Sequence, residues 1–285
     1  MVTPTSQSTE SEAPPPVTIV KHPRASLSEC GLSPDGELGP LDVAIAIDAS
    51  RSTVDPSGSD VDADGDIGKP FLGRIGKIYD MGSTDPEDSW LYAEVRAARA
   101  VVDELAGGDV RFSIVAFSGI TPHATKPTKT EHAVIEAPLT GNSADLEAAL
   151  GRVLDAGSQG HTRFSAGMNL ANQTLTEGSA PRKKRRIVLF ISESPDPSIP
   201  KTASSSVSGA SGTFDPAMKD AALAAVDAHI VYHTFGLGGA ADAPDPHALG
   251  RIGKATGGRF HPVPDALSLH CKMAQALQGT GWALP

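Results

Sequence analysis

Cysteine is nearly absent: Cys30 and Cys271 are the two in a chain of 285 residues. Two thiols are too few for a disulfide framework or a Cys-rich zinc site. They leave two readings open, a pair of unrelated thiols or a clasp joining the ends of the domain, and the second needs the chain termini to lie together. Positive charge is also short, with 24 Lys plus Arg against 34 Asp plus Glu and a formal net charge of −10. That balance argues against a nucleic-acid backbone as the main partner and suits cations better. No apolar run reaches the length of about 18 residues that a membrane span requires. The N-terminus lacks the basic start and apolar stretch of a secretory leader, so the expectation is a soluble, unexported chain.

Several catalytic signatures are missing too. There is no His-Glu-x-x-His helix and no Gly-x-Ser-x-Gly elbow. Gly236-Leu237-Gly238-Gly239 follows a presumed strand but lacks the full dinucleotide fingerprint, and Gly253-Lys254 lacks the earlier glycine of a phosphate loop. His229 and His233 share a strand face without a clustered third ligand. The expectation is therefore a protein that is not an enzyme. A hydrolase would need a general base, and only Glu193 or an acid of residues 54–84 could serve.

What is present begins with a segment, residues 1–39, rich in Pro, Ser, Thr and Glu, with Pro14-Pro15-Pro16 in its middle. Its composition is that of a disordered chain. Residues 40–280 then read as one domain. Leu41–Ile47 is a nearly continuous apolar run ending at a polar turn, the pattern of a strand buried on both faces. Val110–Phe117, Arg186–Ile191, His229–Phe235 and Gly258–Val263 look alike, and Glu131–Ala137 reads as an antiparallel edge. Helical periods lie between them: Glu87–Leu105, with Asp85 and Pro86 as its start, then Ser143–Leu154, Ser165–Leu175, Pro216–Ala228, Asp245–Thr256 and Ala266–Leu277. Alternating strands and helices predict an α/β, Rossmann-like three-layer sandwich, with a mostly parallel sheet covered on both faces. Sites in such folds form outside the carboxyl ends of the strands. The basic run Arg182–Arg186, directly before a strand, reads as a solvated approach to the sheet.

At the end of the first strand, Asp48-Ala49-Ser50-Arg51-Ser52 sets three oxygen-bearing side chains at alternate positions. One carboxylate with hydroxyls and waters suits a hard cation such as Mg²⁺. This stretch resembles the first strand and metal motif of von Willebrand factor A domains. Gly160-His161-Thr162-Arg163-Phe164-Ser165 looks like the family's second loop, with Thr162 at its threonine, and Ile187–Ser194 looks like the strand that usually ends Thr-Asp-Gly. The resemblance covers about residues 40 to 280. It implies a metal-ion-dependent adhesion site at Asp48, Ser50, Ser52, Thr162 and Glu193, holding Mg²⁺ or Mn²⁺ with one position open to an acidic side chain of a protein partner. The sequence departs from the pattern at Glu193, where aspartate is usual, at Ser194 and at Arg51, where glycine is usual. Changes of this kind weaken such a site or narrow its choice of ligand.

Between the motif and the first helix, residues 54–84 form an insertion far longer than the 2–6 residues usual for such a loop. Within it Asp60, Asp62, Asp64, Gly65, Asp66 and Ile67 match the first half of a Ca²⁺ loop. Phe71 stands where the bidentate glutamate belongs, so further oxygens must come from Asp80, Asp85, Glu87 or Asp88. Similar aspartate-rich insertions occur in bacterial proteins that this chain resembles, which points to a bacterial origin. The leading expectation is a metal-dependent protein-binding domain. Its rivals are a subunit working with an ATPase and a scaffold with a degenerate site. A Ca²⁺-type loop and a Cys30–Cys271 clasp lean towards an extracellular setting, whereas the missing leader leans inward.

Overall fold

A computed structural model describes residues 27–30, 38–75, 78–119, 132–177, 184–194, 216–242 and 247–278. Apart from Leu27–Cys30, Leu38 and Gly39, the N-terminal segment lies outside them, as do Arg182 and Lys183 of the basic run.

Strand β1 (Leu41–Asp48) is buried along its whole length. Its alternate residues serve two different cores. Leu41, Val43, Ile45 and Ile47 face helices α1 (Trp90–Leu105), α2 (Ser143–Ala156) and α6 (Leu269–Gln278). Ala44 and Ala46 face α3 (Phe164–Glu177), α4 (Pro216–Asp227) and α5 (Ala248–Ala255). Bulky side chains on one face and alanines on the other explain why the sequence shows no alternation: both faces are dry, and only size alternates.

Six strands make the main sheet, in the order β5-β4-β1-β6-β7-β8. β4 (Val110–Phe117), β6 (Arg185–Ser192), β7 (Ile230–Leu237) and β8 (Arg259–Val263) run parallel to β1 or to one another. β5 (Ala133–Thr140) closes one edge antiparallel to β4. The architecture is the expected three-layer α/β sandwich. The chain leaves β1 towards β4 but leaves β6 towards β7, so the crevice between the carboxyl ends of β1 and β6 is the switch point of the sheet.

Several details differ from the sequence reading: the antiparallel edge is Ala133–Thr140 rather than Glu131–Ala137, the last helix starts at Leu269 rather than Ala266, and three further differences have a visible local cause. Helix α1 begins at Trp90 rather than Glu87, because Ser89 Oγ accepts the Tyr92 N–H at 3.3 Å while Asp85 and Pro86 start a separate 3₁₀ turn, Pro86–Asp88. The seventh strand starts at Ile230, since His229 adopts a positive φ of 54° and belongs to the preceding turn. The insertion is not structureless: β2 (Pro70–Ile75) pairs antiparallel with β3 (Ile78–Ser83) in a two-stranded hairpin.

At the amino-terminal end of the sheet, fully buried Asp42 is held by the Arg111 fork at 2.9 and 2.8 Å and by Lys184 at 3.8 Å. Arg185 donates to the Leu38 carbonyl and Arg186 to that of Ala228 at 3.1 Å. The described part of the basic run is thus spent on anchoring strand ends. Cys30, at the end of a 3₁₀ turn (Leu27–Cys30), is bonded to Cys271 of α6, with their Cα atoms 5.1 Å apart and a sequence separation of 241. Of the two readings of these thiols, the clasp is the one realised.

Candidate metal centre

The crevice at the switch point collects the residues of the proposed site. Past Asp48 the chain is stitched on both sides: Ala49 N–H donates to the Phe117 carbonyl at 2.8 Å, Gln159 N–H to Ala49 at 2.8 Å, and Arg51 N–H to Gly160 at 3.1 Å. Thr53 Oγ1 adds a bond to the Ser50 carbonyl at 2.8 Å. This lacing brings the two loops together so that Thr162 Oγ1 lies 3.0 Å from Ser50 Oγ, which is 3.4 Å from Ser52 Oγ. Two neighbouring serine hydroxyls and a threonine hydroxyl more than a hundred residues away in sequence therefore share one small volume.

The second loop needs a particular glycine. Gly160 has φ +71°, and a Cβ there would sit 1.5 Å from the Gly119 carbonyl oxygen. Phe164 then anchors the loop from below, stacked edge-on against Phe117 and Phe190 at 6.1 and 5.3 Å. Gly160→Ala is expected to displace Thr162 and to abolish metal uptake while leaving the sheet folded. Calorimetric titration with Mg²⁺ alongside circular dichroism checks both halves of that outcome.

Asp48 is fully buried. Its Oδ1 accepts the Ser50 N–H at 2.9 Å and its Oδ2 the Ser192 hydroxyl at 2.5 Å. Burial pushes its carboxyl up to about 7, a rise that the Ser192 and Ser50 hydrogen bonds only partly offset and that the Glu193 charge increases. β1 and β6 pair up to Ala46 and Phe190 and no further, so the Asp48 N–H bonds instead to Glu94 Oε2 of α1, at 2.9 Å. Glu94 is also fully buried, and its Oε1 has no hydrogen-bond partner among the described residues. Burial, then the Asp48 charge, hold its carboxyl well above the usual range, the Asp48 N–H working the other way. Glu193 follows β6 and is close enough to raise both carboxyls.

Ser192 and Glu94 were not among the expected site residues. Ser192 was hidden as the last residue of an apolar strand. Glu94 did leave a signal, for it lies three residues after Leu91 and four before Ala98, on the apolar stripe where a charge has no business.

The arrangement fits a divalent cation. Neighbouring ligands on an octahedral cation with bonds of about 2.1 Å lie about 3 Å apart, the spacing of these hydroxyls. The carboxylates gathered under them are disfavoured as anions until a cation neutralises them. Asp48, Ser50, Ser52 and Thr162 are the residues that would hold it.

The insertion gathers a second acidic group. Carboxylate oxygens of Asp60, Asp62 and Asp88, and of Asp62, Asp64 and Asp85, lie within 4.8 Å of one another. Asp85 and Asp88 are two of the acids that the sequence offers in place of the glutamate at Phe71. Asp66 lies in neither group; its N–H donates to Asp64 Oδ1 at 2.8 Å. Gly65, at φ 96°, makes the turn expected of the sixth loop position. Asp88 is fully buried and clamps the insertion, accepting the Val61 N–H at 2.5 Å and the Gly68 N–H at 2.6 Å. Asp88→Ala strands both amides, which costs about 2 kcal/mol or more. The expected result is a lower melting temperature and faster proteolysis within residues 54–84.

The fold and this hydroxyl and carboxylate cluster define an α/β domain with a polar crevice at the carboxyl end of its sheet. Residues 80–194 match the profile of the von Willebrand factor type A domain, and in that stretch the chain is similar to that family. The matched stretch contains Glu94, Thr162 and Glu193; Asp48, Ser50 and Ser52 precede it. Protein-interaction modules are common in the family. BatB from Bacteroides thetaiotaomicron shares the fold with a TM-score of 0.52 at 15% identity, over 84% of this chain and 98% of that one. The pilus adhesin SpaC from Lactobacillus rhamnosus GG does so with 0.52 at 12% identity, over 85% and 30%. A D319A mutant of the PilB minor pilin from Streptococcus sanguinis gives 0.51 at 12%, over 87% and 64%. No curated protein sequence matches the chain. No helix among the described residues is long and apolar enough to cross a membrane.

Proposed function

We propose that this domain is a non-enzymatic, metal-dependent protein-binding module. In it Asp48, Ser50, Ser52 and Thr162, with Glu193 beside them, hold Mg²⁺ or Mn²⁺ whose open position takes a carboxylate of the partner. The observation that carries the reading is the convergence of three hydroxyls from two loops above a buried aspartate at the switch point of the sheet. A cation held by so few charged ligands keeps an electrophilic face. Arg51, His161 and Arg163, next in sequence to those hydroxyl residues, are exposed and favour an acidic partner in a chain that is otherwise acidic. Two of the fold's other bearers are described as a pilus adhesin and a minor pilin, in keeping with a binding role. The disulfide supports an oxidising setting.

The test is partner binding with and without EDTA, and with Asp48→Ala. Affinity retained in both conditions rules the mechanism out. The second acidic group supports Ca²⁺ in the insertion, through Asp60, Asp62, Asp64, Asp85 and Asp88. There the alanine variant of Asp60, Asp62 and Asp64 is expected to lose Ca²⁺ uptake by calorimetry while keeping Mg²⁺ uptake. Unchanged Ca²⁺ uptake removes that assignment.

A further inference from the structure

We infer that Glu94 is a charged member of the metal centre, a positioning residue that acts through the Asp48 main chain and supplies a buried negative charge for the cation to neutralise. The inference rests on the reading that a cation sits at Asp48, Ser50, Ser52 and Thr162.

Glu94 occupies a place on α1 where the helix otherwise buries Leu91, Val95, Ala98 and Val102. A carboxylate that is 0% exposed there needs a compensating partner, because an unpaired buried charge is costly. The protein supplies very little. Oε2 accepts one main-chain N–H, that of Asp48, and Oε1 accepts nothing among the described residues. No described Lys, Arg or His forms an ion pair with it, and the charges that act on it, those of Asp48 and Glu193, are both negative. Asp48, its neighbour, is likewise met by hydroxyl and amide donors alone.

If the role were only to cap the Asp48 N–H, a neutral glutamine would serve with the same shape and without the burial of a second anion. The charge has no use inside the protein and an evident use beside a divalent cation. The hydrogen bond gives it a second use, since it fixes the main chain at the residue whose carboxylate enters the site. Glu94 thus holds Asp48 in place and adds to the negative potential beneath the three hydroxyls.

The experiment is Mg²⁺ titration of the full chain by calorimetry, for the wild type, Ser52→Ala, Glu94→Gln and Glu94→Asp, with a thermal melt of each in EDTA. Glu94→Gln keeps an acceptor for the Asp48 N–H and removes only the charge. It is expected to weaken Mg²⁺ binding fivefold or more and to melt higher than the wild type in EDTA. Glu94→Asp, which keeps the charge, is expected to bind Mg²⁺ more tightly than Glu94→Gln, and this comparison among folded variants separates charge from shape. A loss of less than fivefold in Glu94→Gln, with Ser52→Ala still abolishing uptake, overturns the role of Glu94 and leaves the site standing. No uptake by the wild type, or unchanged uptake in Ser52→Ala, overturns the site reading and this inference with it. Should Glu94→Gln not fold, a Glu94→Asp protein with no measurable uptake despite its charge also counts against the proposal.

Discussion

Replacing Cys30 and Cys271 together by serine is expected to lower the unfolding free energy by about 4 to 5 kcal/mol. The bond closes a loop spanning 241 residues, and chain entropy assigns its largest effects to loops of that size. The denatured state gains the freedom, so the slope of a urea titration should rise along with the fall in midpoint, as a more open denatured chain exposes more surface. In the folded state little else changes, because Cys30 sits in a short turn packed on the edge of the core. Urea titrations of the oxidised, reduced and double-serine proteins provide the measurement. A change below 1 kcal/mol would show that the denatured chain already keeps its two ends together.

The second large effect is a dependence of stability on pH, which Mg²⁺ at the proposed site is expected to reverse. Asp48 has a folded-state value of about 7 against 3.8 when unfolded. Between those limits the folded protein binds more protons than the unfolded one, so the contribution of Asp48 to stability falls as pH rises from about 4 to about 7. For a fully buried group and a shift of this size the loss amounts to about 4 kcal/mol. Glu94, raised by the same burial, acts in the same direction. His233 and His261, hydrogen-bonded at 3.0 Å and lowered by burial to about 4, act the opposite way, since protonating them as pH falls below 6.5 favours unfolding. The wild-type profile in EDTA is the sum of the two. Asp48→Asn separates them: relative to the wild type it should be stabilised by several kcal/mol at pH 7.5 and by almost nothing at pH 4. Mg²⁺ should stabilise the wild type most at high pH and leave the variant unmoved. A variant whose advantage does not grow with pH would show that Asp48 ionises freely in the folded chain.

Much of the fold could be read because dry strands leave dense marks. Leu41–Ile47 and Val110–Phe117 announce themselves by being nearly continuous in apolar residues, broken only at Asp42 and at Arg111 and Ser113, and the turn residues after Ile47 mark where the sheet ends. The three hydroxyls were legible for another reason, a spacing shared with a family. Glu94 and Ser192 were harder, because their roles come from contacts made across 46 and 144 residues, and no local pattern encodes which buried amide or carboxylate each will meet. Asp88 is similar. Its residue type suggests a turn near a helix start, whereas its task is to grip the main chain of Val61 and Gly68. The hairpin β2–β3 was obscured by its brevity, as six-residue strands beside an acidic loop carry too few residues for a period to stand out.

The bond between Cys30 and Cys271 also decides how the domain responds to being pulled. Tension that enters the chain before Cys30 and leaves after Cys271 crosses from one side to the other through two sulfur atoms, so the six-stranded sheet between them is bypassed. Only the turns of α6 beyond Cys271, anchored by Met273 and Leu277, feel the load and can peel. A module tethered at both ends would therefore stretch by a few residues' length and stop, and the crevice between β1 and β6 would keep its shape under forces that unravel an unbridged sheet.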